Sequence, residues 1–368
     1  MKHLFKKLAA VLAALVLLSG CRTDTSWAYY HEYDVMPSGV YLSYLISSYN
    51  TAVGRLLQEE AAAGPGSGGK SVVEMSQKEI YRLQLEGMAV SDWMIQNAQR
   101  EARSYFAVKN KLSELGHNVS QFQIDYISSM ASSSIQENPG FFRNNGISEN
   151  SLALSYINEA AREELFGLLY GPGGQMEVTQ AELEEHFTAN YGKAEYMFFE
   201  KVSAFQMLVD GAIDDLKVVP EDEQIERVQR YFARMKAGES IHDLILARNI
   251  EDLEAGEDPD TLERRASEFT LIVSENDVGY IDETVIRGIL DVSIGQSELL
   301  ETENYYFVFK RVATDEDDFE QYRDDLLQEL RRDEFIAKLD EWGAALPIVV
   351  NPAAISRYVP SKLTFPKQ

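Results

Sequence analysis

The residues of this 368-residue chain that could do chemistry are five histidines, one cysteine and a dense set of carboxylates. A histidine near neutral pH can serve as general base, hydrogen-bond donor or metal ligand. His31, His117, His186 and His242 are widely separated, and no H-x-x-x-H or D-x-D-x-D-G spacing accompanies them, so no metal site is expected. His242 follows Ser240, a helix-capping residue type, and reads either as a displaced catalytic group or as a solvent-facing helix residue. A G-x-S-x-G nucleophile elbow is absent. Ser67 to Lys70 (SGGK) carries the glycines and lysine of a phosphate loop, but no predicted strand leads into it, and neither nucleotide nor any other cofactor is expected. The acidic runs Glu251 to Glu257 and Asp315 to Asp318 admit two readings: recruitment of cations or basic clients, or solvated helix ends whose first turn favours negative charge.

The one thiol has a specific context. Lys2, Lys6 and Lys7 precede an apolar run from Leu8 to Leu18, and Leu18-Ser19-Gly20-Cys21 follows. Charge, length and small residues make residues 1–20 a signal peptide, and the run is too short for a transmembrane span, which needs about 20 residues. The tetrapeptide resembles the lipobox of bacterial lipoproteins. That resemblance implies a diacylglycerol thioether on Cys21, cleavage before it, and an extracytoplasmic body held to the bacterial cell membrane by several acyl chains, where a single chain would be marginal. Losing residues 1–20 removes three Lys and no acid, taking the charge from −26 to −29.

Composition narrows the rest. With 45% apolar and 11% aromatic residues the chain can bury a core, and its length suits two or three modules. A pI near 4.6 without a basic stripe excludes nucleic acid as a partner, since phosphate binding needs clustered Lys and Arg. A lone Cys excludes a disulfide framework and a Cys-cluster zinc site.

Residues 21–38 read as a lipid-anchored tether. Apolar residues at spacings of three and four predict helices over 40–57, over 76–115 with Gly87 and Ser91 as division points, over 119–133 and over 148–169. Residues 61–70 read as a flexible Gly/Pro/Ser break. Ser120-Gln121-Phe122-Gln123 and Thr179-Gln180-Ala181-Glu182 have capping-box spacing. From 194 the pattern changes to strands at 194–205, 269–273 and 305–312, with helices at 221–236, 240–248 and 283–290 between them, an α+β module. Tyr305, Tyr306, Phe307 and Phe309 either line a peptide groove or alternate into a core. A last amphipathic helix spans 315–345, and 347–352 is extended. In the helical part Tyr41, Tyr44, Tyr49, Met75, Met88, Trp93, Met94 and Met130 are soft residues that either repack around clients or form interhelical core.

Taken together, the lipobox at Cys21, VTQAELEEHFTANYGK, YFARMKAGESIHDLIL, DVGYID, IGQSELLETENYYFVFKRV and LPIVVNPAAISRY resemble the PrsA-type extracytoplasmic foldase lipoproteins, related in plan to the chaperone SurA. The resemblance implies an α+β chain in which a SurA-like helical chaperone domain (39–177) is interrupted by a parvulin-like domain with an antiparallel sheet (178–313). The C-terminal helix and extended tail (314–368) would return to the helical domain.

Parvulins carry a histidine on the first and on the last strand of the module, around an apolar proline pocket. Aligning AEYMFF and FVFK with those strands puts Tyr196 and Phe307 at the two histidine positions. The glycine-rich turn becomes Glu275-Asn276-Asp277-Val278-Gly279, keeping only the aspartate and the last glycine. Rotation about an X-Pro bond faces a barrier of about 20 kcal/mol, so an apolar pocket without its polar network is a binding site before it is a catalyst. The implied function is a membrane-anchored chaperone or foldase for unfolded or nascent exported proteins with low or no isomerase activity. An active peptidyl-prolyl isomerase and a dedicated-partner lipoprotein are the alternatives. Tyr196, Phe198, Tyr280, Ile289 and Phe307 are the expected peptide-binding residues.

Overall fold

In the computed structural model the described residues are 26–63, 70–201, 221–251 and 269–365. Cys21, the signal peptide, and most of the Gly/Pro/Ser break and of the 251–257 run lie outside them. The chain divides into two compact units, residues 1–177 with 330–368, and residues 178–329.

The first unit opens with strands β1 (Trp27–His31) and β2 (Asp34–Pro37), turned at Glu32 with φ 52°. The expected tether over 21–38 is therefore corrected: from residue 27 it is a folded hairpin. Its stabilising partner comes from the other end of the chain, where β9 (Val349–Val350) pairs antiparallel with β1, Tyr29 opposite Val350. Ala28, Tyr29 and Met36 are buried by that closure, and so is His31, whose ring meets Phe106 edge-on at 6.0 Å.

Three long helices form the body: α1 (Ser38–Ala63), α3 (Val90–Glu114) and α6 (Glu149–Tyr170), joined by α4 (Gln121–Glu137) and α5 (Pro139–Asn145). The apolar residues of α1 and α3 at helical spacing, among them Tyr41, Leu45, Tyr49, Met94, Ala98 and Phe106, share one core. A buried polar chain crosses it: the Tyr44 hydroxyl donates to Asn158 Oδ1 (3.2 Å), and Asn158 Nδ2 donates to the Tyr105 carbonyl (3.1 Å). Ser120 and Gln123 form the expected capping box at α4.

The helix expected over 76–115 is interrupted. After α2 (Gln77–Ile80) comes a small hairpin, β3 (Gln84–Leu85) and β4 (Met88–Ala89), before α3 begins. Glu86 and Gly87 have φ of 54° and 79°, the pair of positive angles that a tight hairpin turn demands. The region before 175 is thus not purely helical, and the break at 61 starts later, because α1 continues to Ala63.

The second unit starts at α7 (Gln180–Asn190), capped by Thr179 and Glu182 as expected. It contains β5 (Gly192–Glu200), α8 (Glu221–Lys236), α9 (Ile241–Glu251), β6 (Thr270–Val273), α10 (Glu283–Asp291), β7 (Ser297–Glu301) and β8 (Tyr305–Val312). The strands form an antiparallel sheet in the order β6-β5-β8-β7, so β7, whose SELLE sequence is not read as a strand, is the fourth member. One face packs Met197, Phe199, Tyr306 and Val308 against Val228, Tyr231 and Met235 of α8 and Leu244 and Ile245 of α9. The other packs Ala194, Phe307 and Phe309 against Val285, Ile286 and Ile289 of α10.

The last long helix, α11 (Glu316–Ala345), spans the division between units, which falls after Glu329 instead of the expected 313. The reason is aromatic packing. Phe319 and Tyr322 lie 5.9 and 6.0 Å from Phe187, and Tyr322 is 5.3 Å from Tyr191. In the first unit the returning part of α11 sets Phe335 edge-on to Phe166 at 5.3 Å. After β9 and α12 (Pro352–Ile355) the tail is held by the Tyr81 hydroxyl on the Pro360 carbonyl (2.7 Å) and by Asn145, which exchanges two hydrogen bonds with Thr364. One unit, mainly helical, is assembled from both ends of the chain, and the α+β unit is inserted between them in sequence. No described helix is long and apolar enough to cross a membrane.

Candidate functional site

Alternation along β5 decides which residues can meet a ligand. Ala194, Tyr196 and Phe198 point to one side of the sheet and Met197 and Phe199 to the other. In register, Tyr196 faces Phe309, Phe198 faces Phe307 and Glu200 faces Tyr305 across the central strand pair. Tyr196 and Phe307 are then diagonal neighbours, and their rings stack at 5.1 Å and 22°. The two expected positions are therefore brought together, as an aromatic pair.

Helix α10 covers only part of this face. The remainder is a cavity of about 480 Å³ lined by Tyr196, Phe198, Glu200, Leu271, Tyr280, Ile281, Asp282, Val285, Asn304, Tyr305 and Phe307. Its size suits a side chain and its flanking backbone. Phe307 is 3% exposed and forms the floor, Phe198 is 38% exposed, and Tyr280 stands at the mouth at 91%. Ile289 is a correction. It is fully buried between α10 and the sheet and is not part of the cavity lining, because position 289 falls on the helix face turned to the sheet. Of the aromatic strand, Phe309 and Tyr306 go into the two cores, while Tyr305 and Phe307 reach the cavity.

The turn that carries Tyr280 holds the aspartate and the glycine singled out in the sequence. Asp277 Oδ2 accepts from the Ser274 backbone NH at 2.6 Å, capping the turn, and Gly279 has φ 99°, a left-handed conformation that favours glycine. Both residues thus serve the backbone of the turn.

No histidine lines the cavity among the described residues. His186 is tied to Glu329 at 2.9 Å, and Glu329 also accepts from the Tyr191 hydroxyl (2.6 Å) and Asn276 (2.8 Å). Burial works against the Glu329 carboxylate, but hydrogen bonds from Tyr191, His186 and Asn276 outweigh it and hold its pKa below the ordinary value. His242 approaches Asp243 at 3.8 Å, and His117 approaches Glu164 at 3.7 Å. The polar residues lining the cavity are Glu200, Asp282, Asn304 and the tyrosines Tyr196, Tyr280 and Tyr305. Burial, and then the Asp282 charge, push the Tyr305 phenol above its usual pKa. Among the described residues no group of His, Cys, Asp and Glu could hold a metal ion.

The first unit has a second cavity, about 630 Å³, with Arg55, Arg100, Arg162 and Arg332 facing Glu101 and Glu159 beside Trp93, Tyr156, Phe141 and Phe142. Most of the soft residues named for client binding are core instead: Tyr41 and Met94 are fully buried, and Tyr44, Tyr49 and Trp93 are below 9% exposed. Met130 differs. With Phe122 (81% exposed) and Tyr126 (62%) it forms an apolar stripe at spacing four along α4. The capping box at Ser120 is visible in sequence, but the exposure of the stripe is not.

The segment Gly64 to Ser71 (GPGSGGKS) satisfies the letter of G-x-x-x-x-G-K-[ST]. A phosphate loop joins a strand to a helix, whereas this segment follows α1 and leads to a three-residue 3-10 turn, with Lys70 paired to Glu79 at 3.1 Å.

No protein-family model matches the chain, and no curated protein matches it. Solved structures similar to it include foldase protein PrsA from Streptococcus pneumoniae, at 11% identity over 75% of this chain and 98% of that one, with a TM-score of 0.34. The foldase PrsA from Lactococcus lactis is similar at 10% identity over 89% and 96%, with a TM-score of 0.34. PrsA from Bacillus subtilis is similar at 14% identity over 73% and 93%, with a TM-score of 0.28.

Proposed function

We propose that this protein is an extracytoplasmic chaperone or foldase, tethered to the membrane by lipid on Cys21, that binds unfolded exported polypeptide without efficient prolyl isomerisation. The observation that carries the reading is the stacked Tyr196–Phe307 pair in an open aromatic cavity. In the sequence alignment these two rings take the positions of a parvulin's histidines, and the described lining of the pocket offers an apolar wall for an extended segment with no histidine beside it. Apolar contact of this kind is non-directional and suits many clients. The exposed Phe122-Tyr126-Met130 stripe supplies a second apolar surface in the helical unit. Neither surface calls for nucleotide or metal.

The test has two arms. In a protease-coupled assay on a proline-containing peptide, turnover should stay near background, and turnover well above background that depends on Tyr196 and Phe307 would establish the isomerase reading. In the second arm, the chain should suppress aggregation of several unrelated unfolded proteins. Failure with all of them would favour a lipoprotein dedicated to one partner.

A further inference from the structure

The geometry points to a cation-selective pocket: we propose that the cavity on the sheet face takes the lysine or arginine side chain of a bound polypeptide, its charged head among Tyr196, Tyr280 and Tyr305 and near the carboxylates of Glu200 and Asp282. This rests on the client-binding reading above and names the side-chain class that this site prefers.

Three observations carry it. The first is the aromatic wall: Tyr196, Phe198, Tyr280, Tyr305 and Phe307 converge on one cavity, and the face of a ring attracts a cation through its quadrupole. The second is the sign of the charge. Among the described residues the charged ones lining the cavity are Glu200 and Asp282, with no Lys or Arg beside them. Arg248 donates to the Phe198 carbonyl at 3.1 Å but is not part of the wall. The third is placement. Glu200 sits opposite Tyr305 at the end of β5, and Asp282 is the N-cap of α10, with Oδ1 accepting from the Thr284 NH at 2.8 Å. The Asp282 charge is felt at the wall, since it is the second cause, after burial, that raises the Tyr305 phenol.

Leu271, Val285 and Phe307 offer apolar surface for the methylene stem of Lys or Arg, which can lie against hydrocarbon while the head stays polar. A neutral aliphatic side chain of equal length gains only the stem contacts, and an acidic one is repelled. The net charge of −26 adds a long-range attraction for basic segments that salt weakens.

The test uses the full chain and fluorescent nonapeptides with constant flanks and a central Lys, Arg, norleucine or Glu, read by anisotropy at low and moderate salt. Lys and Arg peptides should bind about fivefold to tenfold tighter than norleucine, the scale of a partly desolvated cation–π contact. The Glu peptide should bind weakest. The double variant Glu200→Gln/Asp282→Asn should reduce the preference about threefold while leaving norleucine binding in place, because Asn also caps a helix and the aromatic wall remains. Tyr196→Phe should retain the preference and Tyr196→Leu should reduce it, with circular dichroism confirming that each variant is folded. Equal binding of Lys and norleucine peptides, or a preference undiminished in the double variant, overturns this inference alone. Absence of binding by every peptide overturns the client-binding reading and this inference together.

Discussion

Replacing Phe307 with alanine tests whether this position has a structural role in the sheet. The ring is 3% exposed, 5.1 Å from Tyr196 and 5.6 Å from Phe309, and packs with Val285, Ile286 and Ile289. Truncating a buried Phe costs about 3–5 kcal/mol, the sum of lost transfer free energy and the cavity left behind. Two features place the expected cost within that interval. The ring pairs contribute about 0.5–1.5 kcal/mol each beyond area, which raises it. The ring also lines the 480 Å³ cavity, so the vacated volume opens to solvent and is not left as a closed void, which lowers it. The expected loss is about 3 kcal/mol, a fall of about 6–12 °C in the melting temperature of a unit this size. Urea and thermal unfolding followed by circular dichroism measure it, and Phe307→Leu, which keeps most of the volume, should cost under about 1.5 kcal/mol. A loss for the alanine variant below about 0.5 kcal/mol, the scale of ordinary surface substitutions, would refute the reasoning and return position 307 to the role of a tolerant pocket wall.

Other outcomes follow from particular contacts. Gly192→Ala would drive a Cβ into Arg311 Nη1 and displace the guanidinium from the carbonyls of Ile289 (2.8 Å) and Tyr191 (3.0 Å), at a cost of about 2–4 kcal/mol; unchanged urea unfolding would contradict this. Because Glu329 is held below its ordinary pKa, its contribution is present above the unfolded value of about 4.3 and is lost as pH falls through the folded one; Glu329→Gln should flatten the fall in urea midpoint between pH 5 and 3, and an identical pH slope in both proteins would rule the network out as its source. Phe122→Ser/Tyr126→Ser should weaken aggregation suppression without lowering the melting temperature, since both side chains are exposed; full retention of suppression would remove α4 from the binding surface. Cys21→Ser should release the protein from the membrane fraction in a detergent-partition assay, whereas continued partition into the detergent phase would mean that something other than the thioether anchors it.

Legibility in the sequence followed the range of the interaction. The capping residues Ser120, Gln123, Thr179 and Glu182 act within three residues, and the helices they begin are where their spacing puts them. The strand Tyr305–Val312 announces itself by aromatic and β-branched density. By contrast, the Trp27–Pro37 hairpin is closed by β9, and Ser297–Glu301 becomes a strand by pairing with β8. Their own residues carry little sign of either pairing. Ile289 shows the same limit at the site: apolar type suggested a binding residue, and its place on the sheet-facing side of α10 made it core.

By itself the sequence determined the aromatic residues at 196 and 307, the lone thiol in a lipobox-like setting, the acidic charge and the succession of the long helices and of the strands β5, β6 and β8, because each depends on identity or on neighbours a few positions away. Only the tertiary structure decided that Tyr196 and Phe307 stack, that Tyr280 guards the mouth they floor, and that Glu200 and Asp282 border one cavity. The physical reason is that strand register and helix coverage select which side chains share a surface. Both are set by contacts between distant segments whose energies appear only when the sheet closes.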